Sequence, residues 1–389
     1  MSSISHIDIS QSNLLQMAER IRLQARDAAV DNEAARRLVP ELTDALRDSG
    51  LMRCGVPATL GGAQAPPAVS LAAAENIARG DAATGWCVMI AFTSSLLAAH
   101  LPPAGATELL SDPRSVTAGV WAPRAVAHPV DGGLVISGRW SFASGITHAD
   151  SFFGGCLLEG AQEGGEPEMR LVGMPTTQLQ MLDTWHTVGL RGTGSQDVVA
   201  EEIFVPSRRV ISLTESPVVD APLYRFPIFG YFALAVAAVA LGNARGAIED
   251  LLDLASRKTV VGSRRTLAGR PATQIAVAQA EAELRAARAL FYSAIDEAWR
   301  ATKSGGIVSA DLRVGLRLAA THAARTSAEV VRIMHDLGGG TAIYDDSPLQ
   351  RRSRDATTIT AHAQVSPTLW ETTGRMLLGV PTDVERHRL

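Results

Sequence analysis

The sequence predicts an α+β fold in three parts, helical, then β, then helical again. Three observations carry that prediction. Over the first hundred or so residues, apolar side chains recur at three- and four-residue spacing among strong helix formers. From about residue 111, short runs of β-formers alternate with turn signals such as Asp131-Gly132-Gly133 and Gly164-Gly165. After Pro227 the helical texture returns in longer Ala-, Leu- and Arg-rich segments. The expected parts are an N-terminal α-helical domain at 1–113, a middle antiparallel β-barrel domain at 114–213 and a C-terminal four-helix bundle domain at 214–389.

Taken in order, helices are expected over 14–29 and 32–49, the second closed by Gly50 as a C-cap. Further helices follow over 71–79 and 84–101, and Pro102-Pro103 is expected to end them. Strands are expected at 116–121, 134–142, 151–158, 170–175 and 198–205, with 160–168 read as a flexible, acidic hairpin loop. The long helices are expected at 231–256, 274–303 and 309–337, and a last segment runs over 354–378.

Composition narrows the function classes. The 389 residues carry 36 Lys and Arg against 40 Asp and Glu, a net charge of −4 that excludes a strongly basic nucleic-acid footprint. Cys54, Cys87 and Cys156 are widely spaced and form no CxxC pair, which argues against a disulfide scaffold or structural zinc. The nine histidines show neither HxxxH nor HExxH spacing, so no metal is expected. The polar N-terminus lacks the apolar core of a signal peptide. The apolar run at 229–241 reads as a buried helix too short to cross about 30 Å of hydrocarbon. The expected compartment is the cytoplasm.

Three segments go beyond texture. Gly138-Arg139-Trp140-Ser141-Phe142-Ala143-Ser144-Gly145 sits where a strand meets a turn. Trp185-His186-Thr187-Val188-Gly189-Leu190-Arg191-Gly192-Thr193-Gly194-Ser195 precedes the strand ending at Val205-Pro206. Leu337-Gly338-Gly339-Gly340 is followed by Pro348-Leu349-Gln350-Arg351 and then Arg354-Asp355. In this order the chain resembles the acyl-CoA dehydrogenase fold over nearly its whole length. The resemblance implies flavin binding, with the β-domain lining the flavin ring.

Two chemistries compete within that fold. A dehydrogenase needs a carboxylate to take the α-proton of a thioester. The position such enzymes use, eight residues after the Asp of the Arg-Asp pair, is Ala363 here, and no acid lies between Asp220 and Glu249. The neighbouring His362, with Trp-x-Phe-x-Ser-Gly at 140–145, looks instead like the flavin-dependent monooxygenases of group D. These are oxygenase components of two-component systems. The resemblance implies reduced FMN or FAD supplied by a separate NAD(P)H-dependent reductase through flavin diffusion, with O2 as co-substrate. A C4a-hydroperoxide would then hydroxylate or oxidise a small, aromatic organic substrate. An atypical acyl-CoA dehydrogenase or oxidase, and a non-catalytic flavin-binding scaffold, stand as alternatives.

The resemblance also distributes roles. His362 and Ser144 are the expected catalytic pair, His362 accepting or sharing a phenol proton and Ser144 lying near the flavin N5–C4a edge. Trp121, Trp140, Phe142, Ser144, Trp185, Arg191, Ser195, Arg265 and Gly339 are expected cofactor contacts. Arg191 reads equally as a loop-pinning residue, Gly338 to Gly340 equally as a helix C-cap, and Trp140 and Trp185 equally as core tryptophans. Arg265, with Gly269 four residues on, matches a motif that reaches the flavin diphosphate across a subunit interface in FAD members. Ala268 replaces its usual aromatic, which leaves FMN open. Ser94, Ser95 and His100 are expected near the substrate, and the family habit implies a homotetramer.

Overall fold

Proline opens six of the α-helices among the described residues, because its fixed φ suits the first turn and its missing amide would have no partner there. The computed structural model describes residues 11–160, 168–259, 262 and 264–380. The acidic loop expected at 160–168 therefore falls mostly outside the described residues.

The N-terminal helices are α1 (Gln11–Ala35), α2 (Pro40–Ser49), α3 (Pro67–Gly80), α4 (Ala82–Ser95) and α5 (Pro103–Leu110). Gly50 caps α2 in the left-handed region at φ 72°, a conformation that costs glycine nothing. Pro103 starts α5 rather than ending the helical region, a correction that follows from the same first-turn preference. Helix α4 is buried along its whole length, and Asp81 caps it by accepting from the Thr84 amide at 3.0 Å.

The middle of the chain forms one seven-stranded sheet. Its strands are β1 (Thr117–Val130), β2 (Gly133–Ala143), β3 (Ser151–Leu158), β4 (Met169–Pro175), β5 (Gln180–Leu182), β6 (Gln196–Pro206) and β7 (Val210–Ile211). The spatial order is β5-β6-β2-β1-β3-β4-β7. The expectation of a wholly antiparallel barrel needs correcting, since β1 and β3 pair in parallel. Hairpin partner β2 occupies one edge of β1, so β3 takes the other edge and runs the same way as β1. The two shortest strands, β5 and β7, give no alternation long enough to read from sequence.

The remaining helices are α6 (Pro222–Arg225), α7 (Ile228–Arg257), α8 (Pro271–Lys303), α9 (Ala310–Gly338), α10 (Pro348–Thr360) and α11 (Thr368–Leu377). Helix α7 runs for 30 residues, so the apolar run at 229–241 belongs to an element long enough to cross a membrane. In the fold 78% of its apolar window is buried, packed by α3 and α9. At Gly242 a Cβ would come within 2.1 Å of the Glu75 carbonyl, so the α3–α7 approach requires glycine there.

Candidate active site

Five elements converge where the sheet meets the helices. Near the end of strand β2 Phe142 is held at φ 65° and is 70% exposed, and after Ala143 the chain turns through Ser144. A side chain in the left-handed region is a strained choice, of the kind that collects at functional sites. The Phe142 ring meets the edge of Trp185 at 6.2 Å between centroids.

Ser144 is buried and hydrogen-bonded on both sides. Its Oγ accepts from the Trp86 indole Nε1 at 3.0 Å and lies 2.7 Å from Ser195 Oγ. Ser195 Oγ lies 2.6 Å from Thr193 Oγ1, which donates to the Leu190 carbonyl at 2.8 Å. Trp185 Nε1 donates to that same carbonyl at 3.0 Å. The loop over 185–195 is thus folded around a single peptide group, and Leu190 itself sits at φ 51°.

His362 approaches from the end of α10. Its ring stands edge-on to Trp86 and to Phe232, both at 5.5 Å, and Phe232 in turn lies 5.5 Å from Trp121. Burial pushes the imidazole down to about 4, so the ring is neutral at ordinary pH. Its Nδ1 accepts from the Gln364 amide at 3.2 Å. A neutral ring that accepts at Nδ1 carries its proton on Nε2. Of the two expected roles of His362, accepting or sharing a phenol proton, this tautomer fits sharing, because the free nitrogen is a donor. No carboxylate takes part in the ring or hydrogen-bond contacts of Trp86, His362 and Phe232 among the described residues.

The fold brings together Ser144, Ser195, Trp185 and Phe142 on the sheet side, with His362 and Trp121 on the helical side. Ser94 joins Trp121 across Gly119, where a Cβ would lie 3.0 Å from Ser94 Oγ and 3.2 Å from Trp121 Nε1. Arg191 is half-buried in a small cleft with Glu33, Asp81, Arg351 and Asp355, and its Nε has no partner.

Other expected contacts stand elsewhere. Trp140 has no exposed surface, its indole donates to the Gly155 carbonyl at 2.8 Å, and it packs on Phe152. It is a core residue of the sheet and, contrary to expectation, presents no surface to a cofactor. Ser95 donates to the Phe92 carbonyl and lies under Gly55, so its hydroxyl is already engaged by backbone. His100 stands in the turn after α4, partly buried, with Nδ1 unpartnered and its titration pushed down to about 4 by burial. Gly339 is exposed at the C-terminus of α9, next to Gly338, whose carbonyl accepts from Lys258 Nζ. Helix α7 carries Phe232 near one end and leads to Lys258 at the other, roughly 39 Å away at about 1.5 Å per residue. Arg265 follows the same far end, beside the Thr259–Thr266 bridge. Neither Arg265 nor Gly339 shares this subunit's His362 site.

Two contributors escaped the sequence reading. Trp86 and Phe232 lie within helices apolar on every side, so periodicity marks them only as core.

The sequence model for the acyl-CoA dehydrogenase N-terminal domain matches residues 11–109, and that for the C-terminal domain matches residues 234–367. The chain is 36% identical over 364 residues to an indole-3-acetate monooxygenase of Pseudomonas putida, covering 93% of this chain and 92% of that protein. It belongs to the flavin-dependent monooxygenases of the acyl-CoA dehydrogenase fold. This monooxygenase is an oxidoreductase, the oxygenase component of a two-component system. It is also 27% identical to the oxygenase component of an FADH2-dependent resorcinol hydroxylase from a Rhizobium species, over 90% of each chain. The solved structure of XiaF from a Streptomyces species, in complex with FADH2 and glycerol, superposes with a TM-score of 0.89. That match is 25% identical and covers 96% of this chain and 97% of that one.

The residues present fit a flavin in the monooxygenase. An exposed, strained Phe142, the adjoining Trp185 and the Ser144 hydroxyl form a surface with aromatic faces and one polar edge. Together with Arg191, they are the residues that would hold it. A cleft of about 460 Å³ between α3, α7 and α8 is a different feature, since its arginines 79, 245, 285 and 288 are each paired with a glutamate.

Proposed function

We propose that the chain hydroxylates a small planar aromatic substrate seated against Trp86, Trp121, Phe232 and His362. The observation that carries this reading is the aromatic enclosure of His362, edge-on to two rings and without a carboxylate partner. Aromatic walls favour a flat ring by edge-to-face and offset contact. An indole-type aromatic acid is the substrate class to test first, in view of the 36% identity to the Pseudomonas putida protein.

Reduced flavin, FMN or FAD, supplies the two electrons that activate O2, and an NAD(P)H-dependent reductase delivers it by diffusion. The overall reaction balances as substrate C–H plus O2 plus reduced flavin giving substrate C–OH, water and oxidised flavin. The chain's own residues bind, orient and keep the site dry. Neutral His362 offers its Nε2 proton to an oxygen or ring nitrogen of the substrate. Trp86 holds the Ser144 hydroxyl in place, and the apolar walls of α4 and α7 exclude the water that would divert oxygen to peroxide. Arg265 and Gly339 would serve a neighbouring subunit's flavin in a homotetramer.

The test is direct. The purified chain, given chemically reduced FMN or FAD, O2 and indole-3-acetate, should yield a product heavier by one oxygen atom. Bleaching of oxidised flavin by an acyl-CoA under anaerobic conditions would instead identify a dehydrogenase.

A further inference from the structure

The hydroxyl relay beside Trp86 has one consistent direction. A carbonyl oxygen only accepts, so the Thr193 proton goes to Leu190. Thr193 has no second proton, so the 2.6 Å bond to Ser195 must be donated by Ser195. Ser195 is then without a proton to give, and the 2.7 Å bond to Ser144 must be donated by Ser144. At the other end the Trp86 N–H donates to Ser144. Every proton in the row is committed toward Leu190, and Ser144 retains one lone pair and no free proton. All three hydroxyl residues are buried, so water does not scramble this order.

Resting on the flavin reading above, we propose that Ser195 and Thr193 are positioning residues that make the site select reduced over oxidised flavin. Reduced flavin carries hydrogen on N5 and donates there; oxidised flavin has a bare N5 that needs a donor. A Ser144 fixed as an acceptor matches the first and presents lone pair against lone pair to the second. The relay thus gives an oxygenase that takes its flavin from solution a way to capture the reduced form and release the oxidised one. One neutral hydrogen bond gained or lost amounts to about tenfold in affinity.

Dissociation constants for oxidised and reduced FMN and FAD, the latter measured anaerobically, provide the test. The wild-type chain should bind the reduced form at least tenfold more tightly. In Ser195→Ala, Ser144 regains a free proton, so oxidised flavin should bind more tightly and the preference should fall about tenfold. Thr193→Val should act in the same direction by letting Ser195 reverse, whereas Thr193→Ser should keep the preference. If both disrupting variants show native circular dichroism and an unchanged preference, the relay inference is overturned while the monooxygenase reading stands. A wild-type chain that prefers oxidised flavin overturns it equally. Failure to bind flavin in either state would overturn the monooxygenase reading itself.

Discussion

The amide of Leu190 donates to a carboxylate oxygen of Asp355 at 2.6 Å, joining the 185–195 loop to helix α10. That helix ends at Thr360, two residues before His362, so one element both anchors the 185–195 loop that holds Ser144 and leads directly into the imidazole. Asp355 is fully buried and its acid is pushed up to about 7, by burial first and then by the Asp81 carboxylate. The Leu190 amide and Arg351 oppose that rise, and Glu33 adds to it.

The sign of the consequence follows from linkage. An acid raised from 3.8 to about 7 stays protonated in the fold while it ionises in the unfolded chain, so its ionisation destabilises the fold progressively as pH rises across that window. The total is about 4 kcal/mol as an order of magnitude. Asp355→Asn keeps a carbonyl acceptor for Leu190 and has no charge to bury. Its melting temperature relative to wild type should therefore be higher at pH 8 than at pH 4. A difference that does not change with pH would remove Asp355 from this role.

His362 bears on coupling. His362→Ala should still bind reduced flavin, yet divert most of the oxygen to peroxide in place of product. Product formed per flavin oxidised, followed with a peroxide assay, measures this. Because burial holds the imidazole down to about 4, wild-type coupling should be flat from pH 6 to 8 as far as this residue is concerned. A histidine-dependent step near pH 6.5, lost in the variant, would show that the ring titrates in the working enzyme.

Phe142 combines an exposed ring with a left-handed backbone. Phe142→Gly accepts that backbone freely but makes the unfolded chain more flexible, so stability should change by no more than about 1 kcal/mol. Flavin affinity should drop about tenfold through loss of the aromatic face. Unchanged affinity for both redox states would leave Phe142 as a surface residue.

Gly154 on β3 tests the sheet core. A Cβ there would meet the Trp140 ring at 2.7 Å. Gly154→Ala should cost about 1–3 kcal/mol by overpacking, seen as a lower denaturation midpoint. If stability held and flavin binding failed, Trp140 would regain a place near the cofactor.

The histidine and the serine were legible because each stands in a short motif with fixed neighbours: Trp-x-Phe-x-Ser-Gly at 140–145 and an alanine where a base is expected at 363. Within the same motif, Trp140 and Ser144 parted company. Trp140 keeps the β2–β6 register and turns into the sheet core, whereas the register irregularity between Trp140 and Ala143 and the turn after the strand bring Ser144 to Trp86. Trp86 and Phe232 could not be distinguished from core residues, since a helix buried on all sides has no polar face to orient it.

The sequence by itself determined the α+β class, the helical, β and helical order, and the absence of a carboxylate at the dehydrogenase base positions. These depend on local periodicity and residue identity. Only the tertiary structure decided the parallel β1–β3 pair, the tautomer of His362 and the direction of the Thr193–Ser195–Ser144 relay. Each depends on which group or strand edge comes within hydrogen-bonding reach of about 3 Å: the β1–β3 and Ser144–Ser195 contacts are set by packing between distant segments, and the short-range ones at 190–195 and 362–364 by turn geometry that periodicity does not encode.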